Sequence, residues 1–135
     1  MDKIKRMINR YLEEISLVST DQEATLGNEW RDISNDVINK SIVAGKVNKS
    51  RCLTGCKGEI KCKQDCDLRA TTLVIRSLQS GITRCRNDKR CIKSIATRII
   101  NVAERGDEKI KKYGFGTPYL ATAIAFANRM GFEAR

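Results

Sequence analysis

All six cysteines of the chain fall between Cys52 and Cys91, and the first four, Cys52, Cys56, Cys62 and Cys66, are spaced C-x3-C-x5-C-x3-C. Residues four apart on a helix share a face, about 5–6 Å apart at Cβ. Cys52 therefore aligns with Cys56, and Cys62 with Cys66. A disulfide needs Cβ atoms roughly 3.5–4.5 Å apart with converging vectors, which two facing helices offer and neighbours on one helix rarely do. Between the pairs, Lys57-Gly58-Glu59-Ile60-Lys61 suits a tight reversal, because Gly58 tolerates positive φ. The expected pairing is nested: Cys56 with Cys62 at the turn and Cys52 with Cys66 beyond it. Closing a loop of about 15 residues contributes roughly 3 kcal/mol in the chain-entropy model. Cys85 and Cys91 flank Arg86-Asn87-Asp88-Lys89-Arg90. A break at Asn87-Asp88, with Asp88 capping a new helix, lets a third disulfide join Cys85 to Cys91. Six cysteines allow 15 pairings, so this set is a preference among them.

Residues 52–66 resemble the twin C-x3-C helical hairpins of small mitochondrial intermembrane-space proteins, with a much shorter spacer. The resemblance implies a stapled hairpin and carries no function over. Zinc is the competing reading of the same cysteines. Structural zinc sites favour C-x2-C knuckles, often with histidine, whereas the spacing here is three and the chain has no histidine. Disulfides are the expected state, with no metal and no cofactor.

A chain of 135 residues is one domain by default and long enough to bury a core without staples. One proline and nine glycines argue against low complexity. No run reaches the roughly 18 apolar residues of a membrane span, so no membrane span is expected. Met1 to Ser19 has no apolar stretch of the secretory kind. Six cystine-forming residues without such a signal point to a virion or another oxidising, disulfide-permissive setting.

Hydrophobic periodicity predicts helices over residues 2–18 and from about Asp21 to Ala44, the latter opened by a Thr20-x-x-Glu23 capping box and stopped at Gly45. A short helix capped by Asn48 or Ser50 follows through Cys56. A fourth runs from near Glu59 to Ser80, with Ile60, Cys66, Leu73, Val74 and Leu78 inward and Gly81 as its stop. After a short segment, Ile82 to Arg86, a helix spans Asp88 to Arg105 and ends at Gly106, with Asp107 to Tyr113 continuing as a charged turn. Thr117-Pro118 opens a last helix, apolar on nearly every side. The fold class is all-α: a single-domain helical bundle of about five to seven helices with a disulfide-stapled helical hairpin. Within the single domain, 1–135, residues 1–50 form a neutral two-helix part, 51–113 a basic cysteine-rich part and 117–132 the apolar C-terminal helix.

Charge separates these parts. Residues 1–50 carry eight basic and eight acidic side chains, and residues 51–113 carry sixteen and seven. Concentrated positive charge points to nucleic acid or an acidic protein surface. The candidate contacts are Arg84, Arg86, Lys89, Arg90, Lys93, Arg98 and Arg105. Aromatics at 5% disfavour a base-stacking platform. The sole tryptophan, Trp30, reads as a core anchor. Without histidine, imidazole-based acid–base and nucleophilic mechanisms are excluded. Gly114-Phe115-Gly116 is too little for a phosphate loop. No catalytic residue and no small-molecule substrate is expected. The sequence points to a non-enzymatic structural or assembly subunit of a large complex, a minor virion (capsid) protein being one form. It would dock on other protein subunits through its basic face and through Tyr119, Leu120, Ile124, Phe126 and Phe132 of the apolar helix. The alternative is a nucleic-acid-binding protein that contacts phosphates through a basic helix around residues 84–105.

Overall fold

The computed structural model describes residues 26–114 and Tyr119. Within them the fold is all-α, with no strand: α1 (Trp30–Thr54), α2 (Ile60–Gly81) and α3 (Lys89–Tyr113), plus 3-10 turns at Gly27–Glu29 and Ile82–Cys85. The helices expected over residues 2–18 and 117–132 lie outside the described residues, Tyr119 excepted, as does the Thr20-x-x-Glu23 box.

Each helix buries one stripe. In α1 the stripe is narrow and small: Ser34, Val37, Ile38, Ser41 and Gly45. That composition lets α2 approach closely. The Ser41 hydroxyl donates to the Val37 carbonyl and lies 2.8 Å from the Ser77 hydroxyl across the interface. α2 contributes Leu68, Thr71, Ile75 and Leu78, and α3 contributes Ile92, Ile95, Ile99 and Ala103. All three helices pack on one another, around a core in which Leu78, Ile95 and Ala103 are fully buried. At roughly 1.5–3 kcal/mol per buried aliphatic side chain, this core is the main source of stability. The β-branched run after Ala70 stays helical. Thr71 and Thr72 donate back to the carbonyls of Asp67 and Leu68, and packing outweighs weak propensity.

Three expected helix boundaries do not exist. α1 runs through Gly45 to Thr54, so no separate helix is capped by Asn48 or Ser50, and α3 runs through Gly106 to Tyr113. Both glycines are close-approach points. A Cβ at Gly45 would collide with Val74, and one at Gly106 with Tyr119 and Thr71. Gly81 closes α2 with helical φ, and a Cβ there would collide with Val37. The stop of α3 is Gly114, whose left-handed conformation (φ 79°) returns its amide to the Ile110 carbonyl. Ile60, expected to face inward, is 71% exposed because it is the first residue of α2, at the tip beyond the core.

The reversal between α1 and α2 uses positive φ at both Lys57 and Gly58, closed by the Glu59 amide donating to the Cys56 carbonyl at 3.0 Å. Around it stand the nested disulfides Cys52–Cys66 and Cys56–Cys62, with Cα separations of 5.6 and 5.5 Å. Cys85–Cys91 closes the junction between α2 and α3 at 5.4 Å. There the Asp88 amide donates to the Cys85 carbonyl, and the Asp88 carboxylate accepts from the amides of Arg90 and Cys91, capping α3. No helix among the described residues is long and apolar enough to cross a membrane.

Candidate functional site: a basic cleft between α1 and α3

Positions 90, 94, 97 and 101 recur at helical spacing and place Arg90, Ser94, Thr97 and Asn101 on one side of α3. Lys89, Lys93 and Arg98 flank that stripe. The first half of α1 faces it with Trp30, Asn35 and Ile38. Together these residues line a cleft of about 620 Å³. Four of them are cations and none is a carboxylate. Lys89 and Arg98 form no ion pair among the described residues.

Arg90 is held from three directions. Its guanidinium reaches the Asp88 carboxylate, donates to the Gly27 carbonyl at 2.7 Å and lies 5.3 Å from the centre of the Trp30 ring. Arg31 lies at the same distance from that ring. Trp30 packs against the core and also forms a wall of the cleft, so the anchor read from the sequence has a second, exposed role. Burial pushes the Asp88 carboxyl up. The Arg90 guanidinium and the amides of Cys91 and Arg90 pull it further down, so its pKa lies below the ordinary carboxylate value. Asp88 is therefore ionised, and its charge goes to the helix cap and to Arg90.

A second cleft, of about 250 Å³, lies across the middle of α1, α2 and α3. Arg98 lines both. Arg105, Lys46, Lys49 and Lys109 join it over an apolar floor that includes Ile42 and Val102. Asp67 is the sole carboxylate lining it, and it accepts from Lys109 at 3.1 Å, Lys49 at 3.2 Å and the Tyr113 hydroxyl at 3.2 Å. Burial raises the Asp67 pKa and the two ammonium groups lower it more, leaving it below the ordinary value. Burial and the neighbouring Asp67 charge push the Tyr113 phenol up. Asp65 pairs with Arg69 on the surface.

The remaining sequence candidates sit apart. Arg84 is engaged by Asp36 of α1, which also takes Lys40. Those bonds, Arg84 first, hold the Asp36 carboxyl below its ordinary value. Arg86 is exposed at the junction turn with φ 53° and ψ −123°, a conformation that favours glycine. Tyr119 lies half-buried against α2 and α3. Its hydroxyl donates to the Leu68 carbonyl at 2.8 Å and lies 3.1 Å from the Thr72 hydroxyl, whose one proton is shared between that carbonyl and the phenol, and its amide donates to Asp107. Burial pushes its phenol up, partly countered by the Thr72 bond. Leu120, Ile124, Phe126 and Phe132 lie outside the described residues. The structure thus brings Lys89, Arg90, Lys93 and Arg98 into one cleft, adds Arg105 through the second, and leaves Arg84 and Arg86 outside both.

Sequence reasoning missed Trp30, Asn35 and Lys46 as lining residues. They belong to α1, and only the crossing of α1 over α3 brings Trp30 and Asn35 to the basic stripe and Lys46 to the second cleft. Cations, hydroxyls and amides with no carboxylate in the lining equip the larger cleft to attract and bind an anionic group. No protein-family model, no curated protein and no solved structure matches the chain.

Proposed function

We propose that this chain is a non-enzymatic assembly subunit that docks an acidic protein surface through the cleft between α1 and α3. The observation that carries this reading is the cleft lining, four cations with no carboxylate, on helices braced by three disulfides. A braced frame loses little conformational freedom on docking, which favours binding at a given contact area. The reading includes a single domain over residues 1–135, a bundle of about five to seven helices and an apolar C-terminal helix that seats on a neighbouring subunit. A minor virion (capsid) protein fits that description, and its setting tolerates disulfides.

A second reading, nucleic-acid binding, is favoured by one specific feature. Asn35, Ser94, Thr97 and Asn101 stand among the cations beside an indole, and such hydroxyls and amides commonly contact phosphate oxygens. The full chain titrated with a polyglutamate peptide and, separately, with duplex DNA or RNA of matched charge tests both readings. The acidic-surface reading expects tighter binding to the peptide, weakening as salt rises and falling at least tenfold in Lys89→Ala/Arg98→Ala. Tighter binding to nucleic acid, with a log–log salt slope that drops by about two in the same variant, makes the second reading correct. Binding that ignores both salt and the substitution rules out the cleft.

A further inference from the structure

The hairpin tip holds four sulfurs in one knot. Cys52 is bonded to Cys66 and Cys56 to Cys62. The Cys56 and Cys66 sulfurs, from different disulfides, lie 3.4 Å apart, and those of Cys56, Cys62 and Cys66 all fall within 4.8 Å of one another. Tetrahedral zinc with Zn–S bonds of about 2.3 Å sets its sulfurs about 3.8 Å apart. The sulfurs of Cys56, in the turn, and of Cys62 and Cys66, on α2, already stand within the span of such a site, and opening both disulfides would free the Cys52 thiol at the end of α1 to close on them as the fourth ligand.

We propose that the tip is a two-state sulfur centre: a pair of disulfides when oxidised and, once reduced, a site for one zinc ion held by Cys52, Cys56, Cys62 and Cys66. Each disulfide is opened by one molecule of a dithiol reductant. A reductant thiolate attacks one sulfur and forms a mixed disulfide, the reductant's second thiol displaces it, and the reductant leaves as a cyclic disulfide. Two reductant molecules thus supply four electrons and give four cysteine thiols. Zinc then takes the four thiolates, and four protons are released. The two helices do not need the sulfurs to stay together, because Ser41 against Ser77 and Gly45 against Val74 pack farther along the same pair.

Two further observations fit. A zinc ion with four thiolates carries two negative charges, and residues 51–63 bring four cations, Arg51, Lys57, Lys61 and Lys63, against Glu59 alone, all of them exposed. Cys52 and Cys62 are half-buried, which gives a reductant a route to each tip disulfide, whereas Cys85 and Cys91 are both fully buried. The junction pair offers only two sulfurs and no such site.

The test reduces the full chain with a dithiol under argon, removes the reductant and titrates cobalt(II) as a spectroscopic probe, then zinc. The expected result is one equivalent of cobalt per chain with the absorption of a tetrahedral four-thiolate site, displaced by one equivalent of zinc. Binding should persist in Cys85→Ser/Cys91→Ser, and the four-thiolate spectrum should be lost in Cys62→Ser. Circular dichroism of the reduced native-sequence chain is read alongside. Absence of stoichiometric binding by that chain, whether its helices persist or melt, overturns the proposal. So does four-thiolate binding that survives Cys62→Ser or disappears with the junction pair.

Discussion

The hairpin tip and the α2–α3 junction are both closed by disulfides and both rich in cations, yet the two regions are built differently. At the tip the sulfurs crowd together and two of the four cysteines are half-buried. The cations around them surround sulfur and solvent. At the junction Cys85, Cys91 and Asp88 are fully buried, and the cations that follow line a cleft. The same bond type therefore does two jobs. The tip pair fastens a hairpin that already packs along its length. The junction bond fixes the start of α3, and with it Lys89, Arg90 and Lys93.

The largest expected effects come from cutting these bonds separately. Cys52→Ala/Cys66→Ala and Cys85→Ala/Cys91→Ala should each cost about 2–4 kcal/mol in urea denaturation. Only the second should also weaken anion binding at the cleft. Equal loss of affinity in both would erase the distinction between the two regions.

Next come the close-approach glycines. Gly45→Ala, which pushes on Val74, and Gly81→Ala, which pushes on Val37 next to the junction, should each cost about 1–3 kcal/mol by overpacking. Gly81→Ala should reduce cleft affinity more than Gly45→Ala, since Val37 neighbours Ile38 of the cleft wall.

Asp88→Ala removes the cap of α3 and should cost about 1–2 kcal/mol, read from the thermal midpoint at constant pH. The pH dependence has a fixed sign. Asp88 and Asp67 both have folded-state pKa values below the ordinary one. Their stabilisation is complete above the unfolded carboxylate value of about 3.9 and is lost as pH falls through the folded values. Asp88→Asn keeps a capping oxygen and should flatten the Asp88 part of that acid loss.

The smallest effect runs in the opposite direction. Arg86→Gly should stabilise the junction by up to about 1 kcal/mol, because φ 53° with ψ −123° is strained for a side-chain-bearing residue. A destabilised Arg86→Gly protein would mean that the arginine side chain stabilises the junction turn by more than the strain costs.

Much of this arrangement is local in the chain and was legible there. The C-x3-C spacing, the Gly58 reversal and the Asp88 cap each depend on residues within a few positions of one another, and they specify disulfide-bonded all-α structure. The glycines misled because a sequence shows them as punctuation. At Gly45 and Gly106 the missing Cβ serves a neighbouring helix, and nothing nearby in the chain announces Val74 or Tyr119. The cleft was half legible for the same reason. Lys89, Arg90, Lys93 and Arg98 share one helix and could be grouped by period, whereas Trp30, Asn35 and Ile38 join them only through the crossing of α1.

Mapping amide and indole shifts by NMR, as an acidic peptide is added to the full oxidised chain, tests most directly whether the α1–α3 cleft is the docking surface. The expected result is a cluster of changes at the Trp30 indole N–H and the amides of Ser94, Thr97 and Asn101, with residues 52–66 still. Changes concentrated at Lys57, Lys61 and Lys63 of the tip, or spread evenly over every exposed cation, would contradict it.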